Sequence, residues 1–143
     1  MTTIFADAKA GVMVCDSRVT SGTQWWSTPD KVERIGEELI GFAGEAAESD
    51  RWLAWYKAGK NGPAPKTTNC SALILGPAGL RILDSSGGYV NVVRGFMGMG
   101  SGGTCATAAF IAGADAETAV YIACQIDEGS GGDVLVHKLW ADK

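Results

Sequence analysis

Glycine cuts this chain into short apolar runs, and that punctuation limits what it can fold into. Of 143 residues, 20 are Gly, and most fall between candidate strands rather than in a flexible tract. Residues 2–8 read as a strand, Lys9-Ala10-Gly11 as a tight turn and residues 12–16 as the returning partner. Residues 32–35 and 39–43 form a second hairpin around Gly36-Glu37-Glu38, and residues 70–75 and 80–84 a third around Gly76-Pro77-Ala78-Gly79. Helical spacing is confined to three stretches. In residues 45–57 it puts Ala46, Ser49, Leu53 and Tyr56 on one stripe, before Lys60-Asn61-Gly62-Pro63 ends the helix. Residues 101–112 offer a small-residue face of Ala106, Ala109, Phe110 and Gly113, and Asp115 caps a third helix carrying Ala119, Ile122, Ala123 and Ile126. A last strand covers residues 133–140. Hairpins, a helix, a hairpin, two helices and a strand predict an α+β fold of packed antiparallel sheets with helices outside.

The length suits one domain, spanning 1–143, with room for a real core. An apolar fraction of 46% and a charged fraction of 20% are ordinary for a globular protein. A net charge of −4 argues against nucleic acid or an anionic membrane as the main partner. No apolar run approaches the ~20 residues of a membrane span, and the first residues lack a signal-peptide pattern, so a cytoplasmic location is expected. Cys15, Cys70, Cys105 and Cys124 are scattered through apolar or Ala-rich surroundings without metal-ligand spacing and read as small core residues. The single His137 lies in a strand-like run, which excludes a His-rich zinc site and makes imidazole a poor candidate for a catalytic base. No metal or cofactor is expected.

The opening Met1-Thr2-Thr3 carries the first chemical signal. Removal of an initiator Met leaves Thr2 with a hydroxyl nucleophile and an amine base in one residue. Asp16 ends a strand, and Lys31 follows an expected loop containing Trp25, Trp26 and Pro29. A Lys held near a hydroxyl favours its ionised form, and an Asp beside the Lys keeps it charged; the plain alternative is a surface ion pair. Gly41-Phe42-Ala43-Gly44 ends a strand just before a helix, where a backbone N–H could serve an oxyanion. Asp127 and Ser130 lie three apart across a turn and could converge on one charged amine, or simply end the helix. Gly98-Met99-Gly100-Ser101-Gly102-Gly103 matches a dinucleotide-loop spacing, but what precedes it is a hairpin-rich sheet rather than the first strand of a β-α-β unit.

Thr2-Thr3-Ile4, Asp16-Ser17-Arg18, Lys31-Val32, Gly41-Phe42-Ala43-Gly44, Gly100-Ser101-Gly102 and Asp127-x-x-Ser130-Gly131 fall in the order seen in proteasome β-type subunits. The chain resembles that family along nearly its whole length, the bacterial HslV-type peptidases above all. The resemblance implies a four-layer αββα sandwich of the N-terminal nucleophile (Ntn) hydrolases. One helix layer is cut short, because residues 58–69 leave room only for a loop. It further implies a threonine-type endopeptidase that assembles into a homo-oligomeric chamber, takes unfolded polypeptide and works with an AAA+ unfoldase. Thr2 would be the nucleophile and Lys31 its electrostatic aid, with Asp16 orienting Lys31. The Gly44 N–H would hold the oxyanion, Ser101, Asp127 and Ser130 would support the amine and a water, and Arg18 would be structural. A catalytically silent scaffold subunit retaining Met1 is the alternative. Glu45 departs from the family pattern, standing where many relatives have a second Gly; a carboxylate there opposes an oxyanion unless it points away.

Overall fold

The computed structural model describes residues 1–27 and 30–140. Strands β1 (Ile4–Asp7), β2 (Val12–Cys15), β10 (Phe96–Met99) and β11 (Leu135–Lys138) form one antiparallel sheet in the order β10-β1-β2-β11. Strands β5 (Val32–Ile35), β6 (Glu38–Gly44), β7 (Cys70–Gly76), β8 (Gly79–Leu83) and β9 (Tyr89–Asn91) form a second in chain order. All three expected hairpins are present, with Ile4 opposite Cys15, Val32 opposite Gly41 and Leu75 opposite Leu80.

Alternation decides which residues meet between the sheets. Ile4, Ala6, Met13 and Cys15 from the first sheet pack on Val32, Leu39, Ala43, Leu73, Leu75 and Leu80 from the second, all of them buried. The intervening residues point outward to helices. Phe5 and Val14 pack under α2 (Gly103–Ile111) and α3 (Ala116–Ile126), whereas Ile40, Ala72, Ile74 and Leu83 pack under α1 (Ala46–Lys57). The result is helix, sheet, sheet, helix, with α1 alone on the five-stranded sheet. Residues 58–69 contain no helix, as expected.

Three expectations need correction. The segment expected to loop through Trp25 and Trp26 is instead strand β4 (Gln24–Ser27), which pairs with β3 (Arg18–Ser21) as a separate two-stranded ribbon; Pro29 lies outside the described residues. On α1 the buried stripe is Glu48, Trp52 and Tyr56 rather than Ala46, Ser49, Leu53 and Tyr56. The bulkiest side chain sets the helix rotation, because burying an indole outweighs burying Ala and Ser together. On α3 Ala116, Ala119, Val120 and Ala123 face the sheet, while Ile126 stands 65% exposed. The cap of α3 is as expected, with Asp115 accepting from the Thr118 N–H at 2.8 Å.

Candidate active site

Thr2 precedes β1 and is fixed from two sides by backbone. The Gly102 N–H donates to the Thr2 carbonyl at 3.2 Å, and the Asp16 N–H donates to the Thr3 carbonyl at 3.1 Å. This close approach explains Gly100 and Gly102 of the 98–103 segment, whereas Gly98 and Gly103 press on each other. A Cβ on Gly100 would collide with the Thr2 backbone, and one on Gly102 with Thr3 Oγ1. The spacing that matches a dinucleotide loop is therefore used to press a loop against the N-terminal strand, and the strand before it, β10, runs antiparallel to β1. That is the wrong context for a dinucleotide site.

Lys31 is the hub of the site. Its Nζ donates to Asp16 Oδ1 at 2.8 Å, to Thr2 Oγ1 at 3.2 Å, to the Met1 carbonyl at 3.1 Å and to the Arg18 carbonyl. Asp16 is fully buried and the Lys31 side chain is 8% exposed, so this is a desolvated ion pair rather than a surface one. Asp16 is satisfied at both oxygens, receiving the Thr3 N–H at Oδ1 and the Gly131 and Arg18 N–H groups at Oδ2. Those bonds hold its carboxylate and so aim the Lys31 ammonium at the Thr2 hydroxyl.

A second chain of hydrogen bonds meets Thr2 at its nitrogen. Thr2 N–H donates to Ser101 Oγ at 3.2 Å, and Ser101 Oγ donates to Asp127 Oδ2 at 2.6 Å. Ser130 Oγ donates to the same carboxylate oxygen at 2.5 Å and lies 2.7 Å from Thr3 Oγ1. Burial pushes the Asp127 carboxyl up, but hydrogen bonds from Ser101, Ser130 and the Gly129 N–H and the N-terminal charge outweigh it, leaving its pKa below the ordinary value. The Met1 amine donates to Thr20 Oγ1 at 2.9 Å.

Gly44 closes β6 at φ +119°, where a Cβ would strike the Asn69 carbonyl. It lines a cleft of about 870 Å³ together with Thr2, Lys31, Ser101, Trp26 and Glu45. Glu45 is exposed and precedes α1; its N–H donates to the Asn69 carbonyl at 2.8 Å. Glu48 braces this corner from the helix, accepting from the Thr68 and Asn69 N–H groups at 2.7 and 2.9 Å. Of the seven residues singled out from sequence, Thr2, Lys31, Gly44 and Ser101 line this cleft. Asp16, Asp127 and Ser130 stand behind Lys31 and Ser101. Arg18 contributes its carbonyl to Lys31 and stacks its guanidinium 4.7 Å from the Trp25 ring. Sequence reasoning missed Thr3, whose N–H meets Asp16 and whose hydroxyl meets Ser130; the doubled Thr2-Thr3 was the available signal.

The arrangement places a buried ammonium within 3.2 Å of a hydroxyl, ties the same residue's nitrogen to a hydrogen-bonded serine and carboxylate, and opens a cleft beside both. No protein-family model matches the sequence, and no curated protein matches it. Solved structures do. The chain is similar to eukaryotic HslV from Trypanosoma brucei at 26% identity and a TM-score of 0.73, over 96% of this chain and 99% of that one. It is similar to BPH from Thiobacillus denitrificans at 19% identity and a TM-score of 0.74, over 99% of this chain and all of that one. BPH in complex with epoxomicin superposes at a TM-score of 0.73 and 18% identity, over 98% of this chain and all of that one.

Proposed function

We propose that this chain, which has the fold of the HslV- and proteasome-type Ntn hydrolases, is a threonine-type endopeptidase subunit. The observation that carries the reading is Lys31 Nζ, held by buried Asp16 within 3.2 Å of Thr2 Oγ1 on the wall of an open cleft. Once the Met1–Thr2 bond is cut, the Thr2 amine takes the hydroxyl proton as Oγ1 attacks a peptide carbonyl. Lys31 stabilises the developing alkoxide, and the Gly44 N–H receives the oxyanion. The amine returns the proton to the leaving nitrogen, and water then hydrolyses the acyl-threonine. Ser101, Asp127 and Ser130 orient the amine and that water. We further propose a cytoplasmic homo-oligomer that takes unfolded polypeptide, with an AAA+ unfoldase as partner.

One observation favours a second reading, a silent subunit. Met1 is tied at its amine to Thr20 and at its carbonyl to Lys31, so a retained Met1 keeps the Thr2 nitrogen in a peptide bond and engages the lysine that catalysis needs. Intact mass of untagged protein from a cell with normal methionine aminopeptidase separates the two. Loss of one Met, with hydrolysis of unfolded peptides that epoxomicin suppresses and Thr2→Ala lowers by at least about 10³-fold, supports the peptidase. Retention of Met1 in the assembled protein supports the scaffold and removes the mechanism.

A further inference from the structure

We propose that Cys15, Asp30 and His137 form a binding site for a thiophilic divalent metal ion of the zinc class. The three residues come from the end of β2, the segment before β5, and β11. Their ligand atoms all lie within 4.8 Å of one another. Asp30 Oδ1 is the meeting point, receiving Cys15 Sγ at 3.5 Å and lying 2.9 Å from His137 Nε2. A tetrahedral zinc with S, N and O ligands at about 2.0–2.3 Å sets its ligands about 3.3–3.8 Å apart, so small side-chain shifts complete the site. The Val32 N–H donates to Asp30 Oδ1 at 3.0 Å and helps hold the carboxylate in place, as outer-shell donors do in metal sites. The side chains of His137 and Asp30 are 24% and 34% exposed, which gives an ion an entry path and leaves a fourth position for water.

Binding is a proton exchange without redox change. The Cys15 S–H bond breaks, the sulfur–metal bond forms, the proton leaves to solvent, and imidazole and carboxylate add lone pairs. Burial, joined by the charges of Asp30 and Asp16, pushes the Cys15 thiol up to about 12 without an ion. A dication reverses the field that those carboxylates impose on sulfur. The ligand set is soft enough for zinc or cobalt and unsuited to magnesium or calcium. Cys15 precedes Asp16 and Asp30 precedes Lys31, so the ion would tie together the two backbone segments that carry the buried ion pair.

The test is a Co²⁺ titration of the untagged full chain, read by thiolate-to-cobalt absorption in the near ultraviolet, with Zn²⁺ as competitor. One bound equivalent, displaced by Zn²⁺ with release of a proton, is expected. Cys15→Ser should abolish the absorption, and His137→Gln, a partly buried change that circular dichroism can certify as folded, should weaken binding by at least about tenfold. Absence of the absorption in the unmodified chain overturns the proposal. So does its survival at unchanged affinity in His137→Gln, which would put the ion on another thiol.

Discussion

At the residue scale the site depends on how each charge is satisfied. Asp16 receives three backbone N–H groups besides Lys31, so its charge is compensated even though it has no access to water. Asp127 is half-buried, and its pKa lies below the ordinary carboxylate value. A carboxyl depressed in the folded state adds stability above its unfolded value of about 3.9, and loses it as pH falls through the lower folded value. The thermal midpoint of the unmodified chain should therefore exceed that of Asp127→Asn at pH 7, and the gap should shrink as pH drops below about 4. A gap independent of pH would show that the Ser101 and Ser130 bonds do not depend on the charge. These partners illustrate what sequence could reveal at this scale. Thr2, Asp16 and Lys31 were legible because their residue types fit one reaction. The Cys15, Asp30 and His137 cluster was not, because nothing local links positions 15, 30 and 137, and it takes the pairing of β2 with β11 to bring Cys15 and His137 onto neighbouring strands, diagonal to one another on one face.

Among the elements, α1 shows where burial overrides pattern. Trp52 is fully buried and its Nε1–H donates to the Pro65 carbonyl at 2.6 Å, which ties the helix to the 58–69 loop. Trp52→Ala should cost about 3–5 kcal/mol by urea unfolding, from lost apolar burial and the cavity left behind. Trp25→Ala, on a ribbon where Trp25 is 61% exposed, should cost no more than about 0.5 kcal/mol. Equal losses would mean that α1 is not fixed by its indole. The three expected hairpins were readable to within two residues, as at Gly36 and at Gly76 to Gly79, whereas β9 and β10 went unread. Helix faces were less readable: Trp52 and Tyr56 share the buried face of α1 while Trp55 lies off it, and the sheet beneath selects between them. The β3–β4 ribbon escaped notice because Gln24-Trp25-Trp26-Ser27 faces solvent on every residue and so shows no alternation.

For the whole molecule, the two helical layers expose different surfaces. Tyr121 and Ile126 on α3 are 58% and 65% exposed, and Ile111 at the end of α2 is 65% exposed. We propose these apolar side chains as contacts between copies in the homo-oligomer, since exposed apolar side chains of this size mark association surfaces. Replacing Tyr121 and Ile126 together with Glu should leave the circular dichroism unchanged and shift sedimentation toward the monomer. An unmodified chain that sediments as a monomer would remove the oligomer from the reading.

The five-stranded sheet ends in strands that make poor templates. At one rim β9 has only three residues, with Arg81 stacked on Tyr89 at 4.8 Å; at the other, β5 carries Glu33, paired with Lys57 at 3.2 Å, and Arg34. Short length and charge at a sheet rim discourage another strand from adding there. Crowded copies of this chain are thereby steered away from runaway cross-β stacking. Contacts between copies at this sheet then have to be built from side chains meeting side chains rather than from its backbone ladder.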